Sequence, residues 1–186
     1  MFDVSFALMT PATFATTVLG WHDFFLAAAG ASAALLGLLF VGVSINLAAI
    51  AADERVDLRA RAGQAFTNLV FVLLIGLIML IPNPDARLLA ATLGLVAAVA
   101  LIRVGLNLAG LIRARAHTLD RFATLRRIGW TAIANVVLAF SAWRLWDSSG
   151  AADVIVNLVI VVVVLLIGAA DIAWEKLTEV SRDAQR

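Results

Sequence analysis

The sequence has no cysteine and a single lysine among 186 residues, and only 15% of it is charged. Without cysteine there can be no disulfide, no thiolate metal site and no thiol nucleophile. The familiar catalytic signatures are missing as well: neither HExxH nor GxSxG, nor a Walker or dinucleotide-binding pattern, occurs anywhere in the chain. The two histidines, His22 and His117, fall near opposite faces of the topology derived below, so one subunit cannot bring them together on a metal or haem. No metal and no cofactor is expected. A run of acidic residues through the apolar segments, as proton-coupled pumps use, is also lacking. These absences argue against an enzyme. The opening MFDVSFALMT has no basic residue before the apolar run, unlike a cleavable signal, so the N-terminus is expected to be retained and translocated.

What the chain has in abundance is apolar side chains: 63% of residues are hydrophobic, and the mean hydropathy is +1.00. That is the composition of a membrane protein. Eleven of the fourteen basic residues fall in three segments, 55–61, 113–127 and 176–186, separated by paired hydrophobic stretches. Short loops rich in Lys and Arg mark the cytoplasmic side, so the pattern predicts an all-α polytopic protein with five transmembrane helices, its N-terminus outside and C-terminus cytoplasmic. The spans are expected at about 24–50, 65–81, 88–112, 128–146 and 154–174, forming a single transmembrane domain over 1–186. Arginine outnumbers lysine thirteen to one and alanine is abundant, which points to a bacterial source and hence to the cytoplasmic (inner) membrane. The expected lipid partners are anionic and on the inner leaflet; nucleic acid is not an expected partner.

Tryptophan supports the same boundaries, because its ring prefers the headgroup level. Trp21, Trp143 and Trp146 would form an outer belt, and Trp130 and Trp174 would sit on the inner side. The turn IPNPDAR should join the second and third spans as an antiparallel hairpin, with Asn83 or Asp85 capping, and WDSSGAAD should join the fourth and fifth. Thr10-Pro11 reads as the start of a short outer interfacial helix over about 11–20, which anchors the chain or shields a pore mouth. In ADERVDLRARAGQ, Asp53 with Asp57, and Asp57 with Arg61, stand four residues apart, a spacing that allows the spans to continue as helix beyond the lipid. The segment 113–127 sets Leu119, Phe122 and Leu125 among Arg113, Arg115, Arg121, Arg126 and Arg127, the pattern of a basic helix on an inner surface contacting lipid headgroups.

Small residues indicate where helices touch, since lipid supplies no hydrophobic drive for association. Ala29, Ala33 and Gly37 recur every four residues in the first span, and Ala90, Gly94 and Ala98 in the third, marking those two spans as packing hubs. The fifth span is apolar and branched on all sides, so it should face lipid over much of its surface.

Counting depth from the outer turns places an amide or a charge in the inner half of every span: Asn46, Asn68, Arg103 with Asn107, Asn135, and Asp171. A guanidinium at this depth requires a partner or water. Asp171 is one candidate partner; Asp171 could instead pair with Arg126 or Arg127, and Arg103 could instead snorkel to the inner headgroups. Arg103, Asn107 and Gly110 share a helical face opposite the Ala90–Gly94–Ala98 stripe, which suits a water-filled vestibule. The asparagines serve equally well as interhelical glue. His22-Asp23 could sense pH, although a surface histidine without function is the plainer reading.

The stretch GASAALLGLLFVGVSINL, following WHDFF, resembles the opening span of a group of bacterial multi-helix membrane proteins, some described as modulators of FtsH protease. The likeness covers the first span. It implies a regulatory partnership with a membrane protein and assigns no site residue. Two functions are therefore expected: a homo-oligomeric channel or passive conduit, favouring anions, with the polar layer lining an inner vestibule; or a non-transporting accessory protein that binds another membrane protein. A third, weaker expectation is a lipid-binding or scramblase-like protein using 113–127.

Overall fold

In a bilayer every backbone N–H and C=O must be satisfied within the segment itself, so long apolar runs become helices. The computed structural model describes residues 11–45, 56–82, 85–113, 118–148 and 152–183. Its helices are α1 (Pro11–Gly20), α2 (His22–Ile45), α3 (Val56–Met79), α4 (Ala86–Arg113), α5 (Thr118–Ser148) and α6 (Ala152–Asp183). No strand occurs among the described residues. Among the described residues four helical segments are long and apolar enough to cross a membrane: His22–Ile45, Ala62–Met79, Ala86–Ala109 and Asp153–Asp171. The chain is thus a multi-pass membrane protein. Helix α5 is long, at 31 residues, but its charged first part, with Asp120, Arg121, Arg126 and Arg127, together with Asn135 and Arg144, makes it less apolar than the others.

Helices α3, α4, α5 and α6 form a closed four-helix ring, in which α4 packs on α5, α5 on α6, α6 on α3 and, more lightly, α3 on α4. Leu89, Leu93, Leu138, Leu145, Ile155, Leu158, Val162 and Leu165 fill its centre, all essentially inaccessible. Helix α2 stands outside the ring and packs on α3. Its contact depends on Gly76 of α3, where a Cβ would meet Ala29 Cβ at 2.9 Å and the Phe25 carbonyl oxygen at 3.1 Å. One turn or two along the same interface, the Ser32 hydroxyl donates to the Leu69 carbonyl at 2.6 Å. Two helix backbones approach closely here because a glycine removes the side chain between them.

Several expectations change. The second and third spans are neighbours but touch lightly, each burying its main face elsewhere. Of the two proposed hubs, the third span (α4) does make the most extensive interface, with α5, whereas the first span (α2) is peripheral and α3 takes the central place. The fifth span (α6) leaves Val156, Ile160, Val163 and Ile167 exposed but also buries a full side, through Val154, Ile155, Leu158, Val161, Val162, Leu165 and Ala169. A run of branched apolar residues shows no contrast between faces, so periodicity could not reveal it. Residues 118–127 belong to the same helix as the fourth span rather than to a separate surface helix. Nothing in that stretch interrupts a helix, and Gly129 just beyond it costs only about 1 kcal/mol relative to alanine.

Three helix ends among the described residues agree with the sequence reading. Helix α1 ends at Gly20, and the Trp21 N–H donates to the Val18 carbonyl at 3.1 Å, turning the chain directly into α2. The Leu89 N–H donates to the Asp85 carbonyl at 3.0 Å, so Asp85 opens α4 as its N-cap. Helix α3 begins at Val56, extending below the apolar run as the charge spacing suggested.

Candidate functional site

The polar positions divide into two groups, one inside the ring and one on its outer surface. Asn68 is 2% exposed and Asn135 0%. Helices α3 and α5 run in the same direction, and Gln64 Nε2 donates to Thr131 Oγ1 at 3.4 Å between them. Asn68 and Asn135 each follow one turn later, at a common level. Asn68 lies beside Gly168 of α6, where an added Cβ would come within 3.5 Å of its Nδ2. Its Oδ1 has no hydrogen-bond partner, and Asn135 has none at either Oδ1 or Nδ2. Buried amides normally find partners, and an unpaired one costs about 1–3 kcal/mol. Ser141, also fully buried, spends its hydroxyl on the Val137 carbonyl at 2.8 Å in its own helix.

Arg103, Asn107 and Asp171 are all exposed. Arg103 Nη1 donates to Thr67 Oγ1 of α3 at 3.1 Å, and that hydroxyl donates to the Gly63 carbonyl at 2.8 Å. No ion pair joins Arg103 to Asp171. Asp171 lies on the outward side of α6 that carries Ile160, Val163 and Ile167. The guanidinium therefore crosses from α4 to α3 on the outer surface of the bundle, opposite the Gly94 side of α4, where an added Cβ would stand 3.8 Å from Ala142 Cβ of α5. The six polar positions do not line one space: two are sealed inside, three face outward, and Asn46 lies outside the described residues. So do Arg115 and the side chains of Arg113, Arg121, Arg126 and Arg127.

The small-residue stripes behave differently from their spacing. Ala29 is buried against Gly76, but Ala33 and Gly37 are exposed; Ala90 is buried and Gly94 half-buried, but Ala98 is exposed. A four-residue step overshoots the 3.6-residue turn by about 40°, so such a stripe winds off the contact within two turns. The buried faces follow mixed steps of three and four instead, as in Phe25, Ala28, Ala29 and Ser32.

A second seam on α2 was not foreseen. Ala27, Gly30, Ala34 and Gly37 repeat at intervals of three and four on the side turned away from α3, and all are exposed. Nothing lies within 4 Å of a Cβ added at Gly30 or Gly37. The signal lay in the sequence as a heptad-like spacing of small residues, hidden among the many alanines. Beyond Ser32 no residue of α2 is buried, and Leu38 is 69% and Ile45 78% exposed. Helix α4 opens out likewise past Ala100, with Ile102 and Leu106 exposed.

The chain matches no protein-family model, no curated protein and no solved structure.

Chemically, the arrangement offers a sealed apolar core, a buried amide level, the outward guanidinium of Arg103 and an open small-residue seam. Among the described residues no three His, Cys, Asp or Glu side chains come together as a metal site would need. At the Trp21 end, Arg144 Nη2 pairs with Asp153 Oδ2 at 3.2 Å, joining α5 to the first turn of α6, and its guanidinium lies 6.0 Å from the Phe140 ring centre.

Proposed function

We propose that the protein is a non-enzymatic accessory subunit of the bacterial cytoplasmic membrane that binds another membrane protein through the outward seam of α2. The exposed glycines carry this reading. In a lipid-facing position each of Gly30 and Gly37 costs about 1 kcal/mol of helix stability relative to alanine and gains nothing from acyl chains. A second helix lying on the seam recovers that cost through close backbone approach. The resemblance of this span to those of FtsH modulators points to the same kind of partner.

The topology that goes with this proposal has five crossings, with the N-terminus outside. Helix α5 is long enough, about 46 Å at 1.5 Å per residue, and lies between α4 and α6. Its exposed Trp130 and Trp146 stand about 24 Å apart along the axis, near the thickness of the hydrocarbon layer. The test is affinity recovery from membranes in mild detergent. Wild type should bring down a membrane protein that the double variant Gly30→Leu, Gly37→Leu loses while remaining monodisperse; recovery of the chain alone in both cases contradicts the proposal.

The exposure of Arg103 and Asn107 favours a second reading, a homo-oligomeric passive conduit for anions. Because the centre of the ring is packed with leucine, isoleucine and valine, its path would run between copies rather than through one chain. Anion flux in liposomes that falls on Arg103→Ala supports it; flux no greater than that of empty liposomes removes it.

A further inference from the structure

Between α2 and α4 runs a strip of α3 that neither helix covers. On one side of it Leu69 and Gly76 hold α2; on the other Thr67 receives Arg103 from α4. In the arc between them Phe66, Leu74 and Leu77 are exposed and Val70 half-buried. The strip is apolar along its length and ends, toward the Ile45 end of the molecule, at a guanidinium.

The two dimensions of this groove match one lipid. From Phe66 to Leu77 the helix rises about 16 Å, close to the depth of a single leaflet's hydrocarbon, about 15 Å. Arg103 lies about 25 Å along α4 from Ala86, so in a layer about 30 Å thick it is one side-chain length short of the far headgroups. The Thr67 hydroxyl gives its proton to Gly63 and so presents a lone pair to Nη1, which places the guanidinium across the groove end. That bond uses one of five donors. Among the described residues no carboxylate is paired with it, and a guanidinium at the edge of the hydrocarbon is best satisfied by a bidentate phosphate.

We propose that this groove is a binding site for one anionic phospholipid of the leaflet at the Ile45 end, which the basic loops make the cytoplasmic one. The phosphate is held by Arg103, and an acyl chain lies along Phe66, Val70, Leu74 and Leu77. The proposal is independent of the α2 seam, which lies on the other side of that helix.

The experiment is native mass spectrometry of the full chain released from mixed micelles containing equal amounts of phosphatidylglycerol and phosphatidylcholine. Wild type should retain one phosphatidylglycerol per chain in clear preference to phosphatidylcholine. Arg103→Gln should weaken that retention at least about tenfold, the loss of one charge-assisted phosphate contact. Arg103→Lys, which keeps the charge but not the planar fork, should fall between them. Leu74→Trp, which fills the groove while leaving Arg103 intact, should also lose the lipid, whereas Ile160→Trp on the outward side of α6 should not. Equal retention of the two lipids by wild type, or undiminished phosphatidylglycerol on a folded Arg103→Gln chain, overturns the proposal. So does a Leu74→Trp chain that binds as wild type does.

Discussion

Replacing Gly76 by alanine adds one methyl group at the tightest point of the structure, and the outcome follows from its geometry. The new Cβ would stand 2.9 Å from Ala29 Cβ, 3.1 Å from the Phe25 carbonyl oxygen and 3.4 Å from Ala29 Cα. Non-bonded carbons are comfortable at about 3.5–4.0 Å, so α2 must retreat from α3 by about 0.6–1 Å. Two of the three obstructing atoms are backbone, and the third is a methyl fixed to it, so no rotamer change relieves the clash. Overpacking of this kind costs about 1–3 kcal/mol. Alanine's better helix propensity returns at most about 1 kcal/mol. The retreat also lengthens the Ser32 to Leu69 bond, now 2.6 Å. The net expectation is a loss of about 1–2 kcal/mol, and Gly76→Leu should detach α2 altogether. Gly37→Ala is the internal control: its site is open, so the isolated protein should be unchanged or up to about 1 kcal/mol more stable. Reversible unfolding in mixed micelles, followed by tryptophan fluorescence, measures both. If Gly76→Ala proves as stable as Gly37→Ala, the α2–α3 contact is not as close as described, and the reasoning fails.

Other consequences can be tested separately. Asn135→Leu should raise stability by about 1–2 kcal/mol, because it removes two buried polar atoms that no protein group satisfies; a loss of similar size in the same unfolding assay would mean that the amide is satisfied by bound water or an ion. Gly168→Leu should destabilise the α3–α6 contact by driving a side chain into the Asn68 amide, 3.5 Å from the position of an added Cβ, read as a lower unfolding midpoint. The Arg144–Asp153 pair, with side chains 33% and 61% exposed, should show a coupling below about 1 kcal/mol in a double-mutant cycle, smaller still at high salt; a larger coupling would show that the pair is shielded from water. Since the chain has no cysteine, single cysteines report topology without background. A maleimide that cannot cross the membrane should label Asp23→Cys and Asp147→Cys from outside and Asp183→Cys only after permeabilisation; labelling of all three from one side refutes five crossings.

How legible this structure was depends on the kind of signal each feature left. Helix positions were readable because length, loop charge and tryptophan placement are one-dimensional properties imposed by the bilayer. The expected start at 11 and end at 20 of the first helix match Pro11–Gly20, and the Asp85 cap was visible as a turn residue before an apolar run. Which helices touch was much less legible. In water a helix's buried face differs in polarity from its exposed face, but here both faces are apolar, and α6 hid a fully packed side inside a run of valines and leucines. Counting residues from a turn estimates depth but carries no azimuth: Asn68 and Asn135 turned inward, whereas Arg103, Asn107 and Asp171 turned outward. The Arg103 to Thr67 bond went unforeseen because threonine in a membrane helix usually satisfies itself on the preceding turn, as Thr67 also does through Gly63.

The seam on α2 is the claim on which the proposed function rests, and crosslinking in intact membranes tests it most directly. A photoreactive diazirine side chain placed at Leu38, which borders the seam and is 69% exposed, should give one discrete protein adduct, while the same group at Ile160 on the outward side of α6 should react only with lipid. An adduct of twice the chain's own mass would place a second copy on the seam and favour the conduit between copies. Lipid adducts alone at both positions would contradict the account.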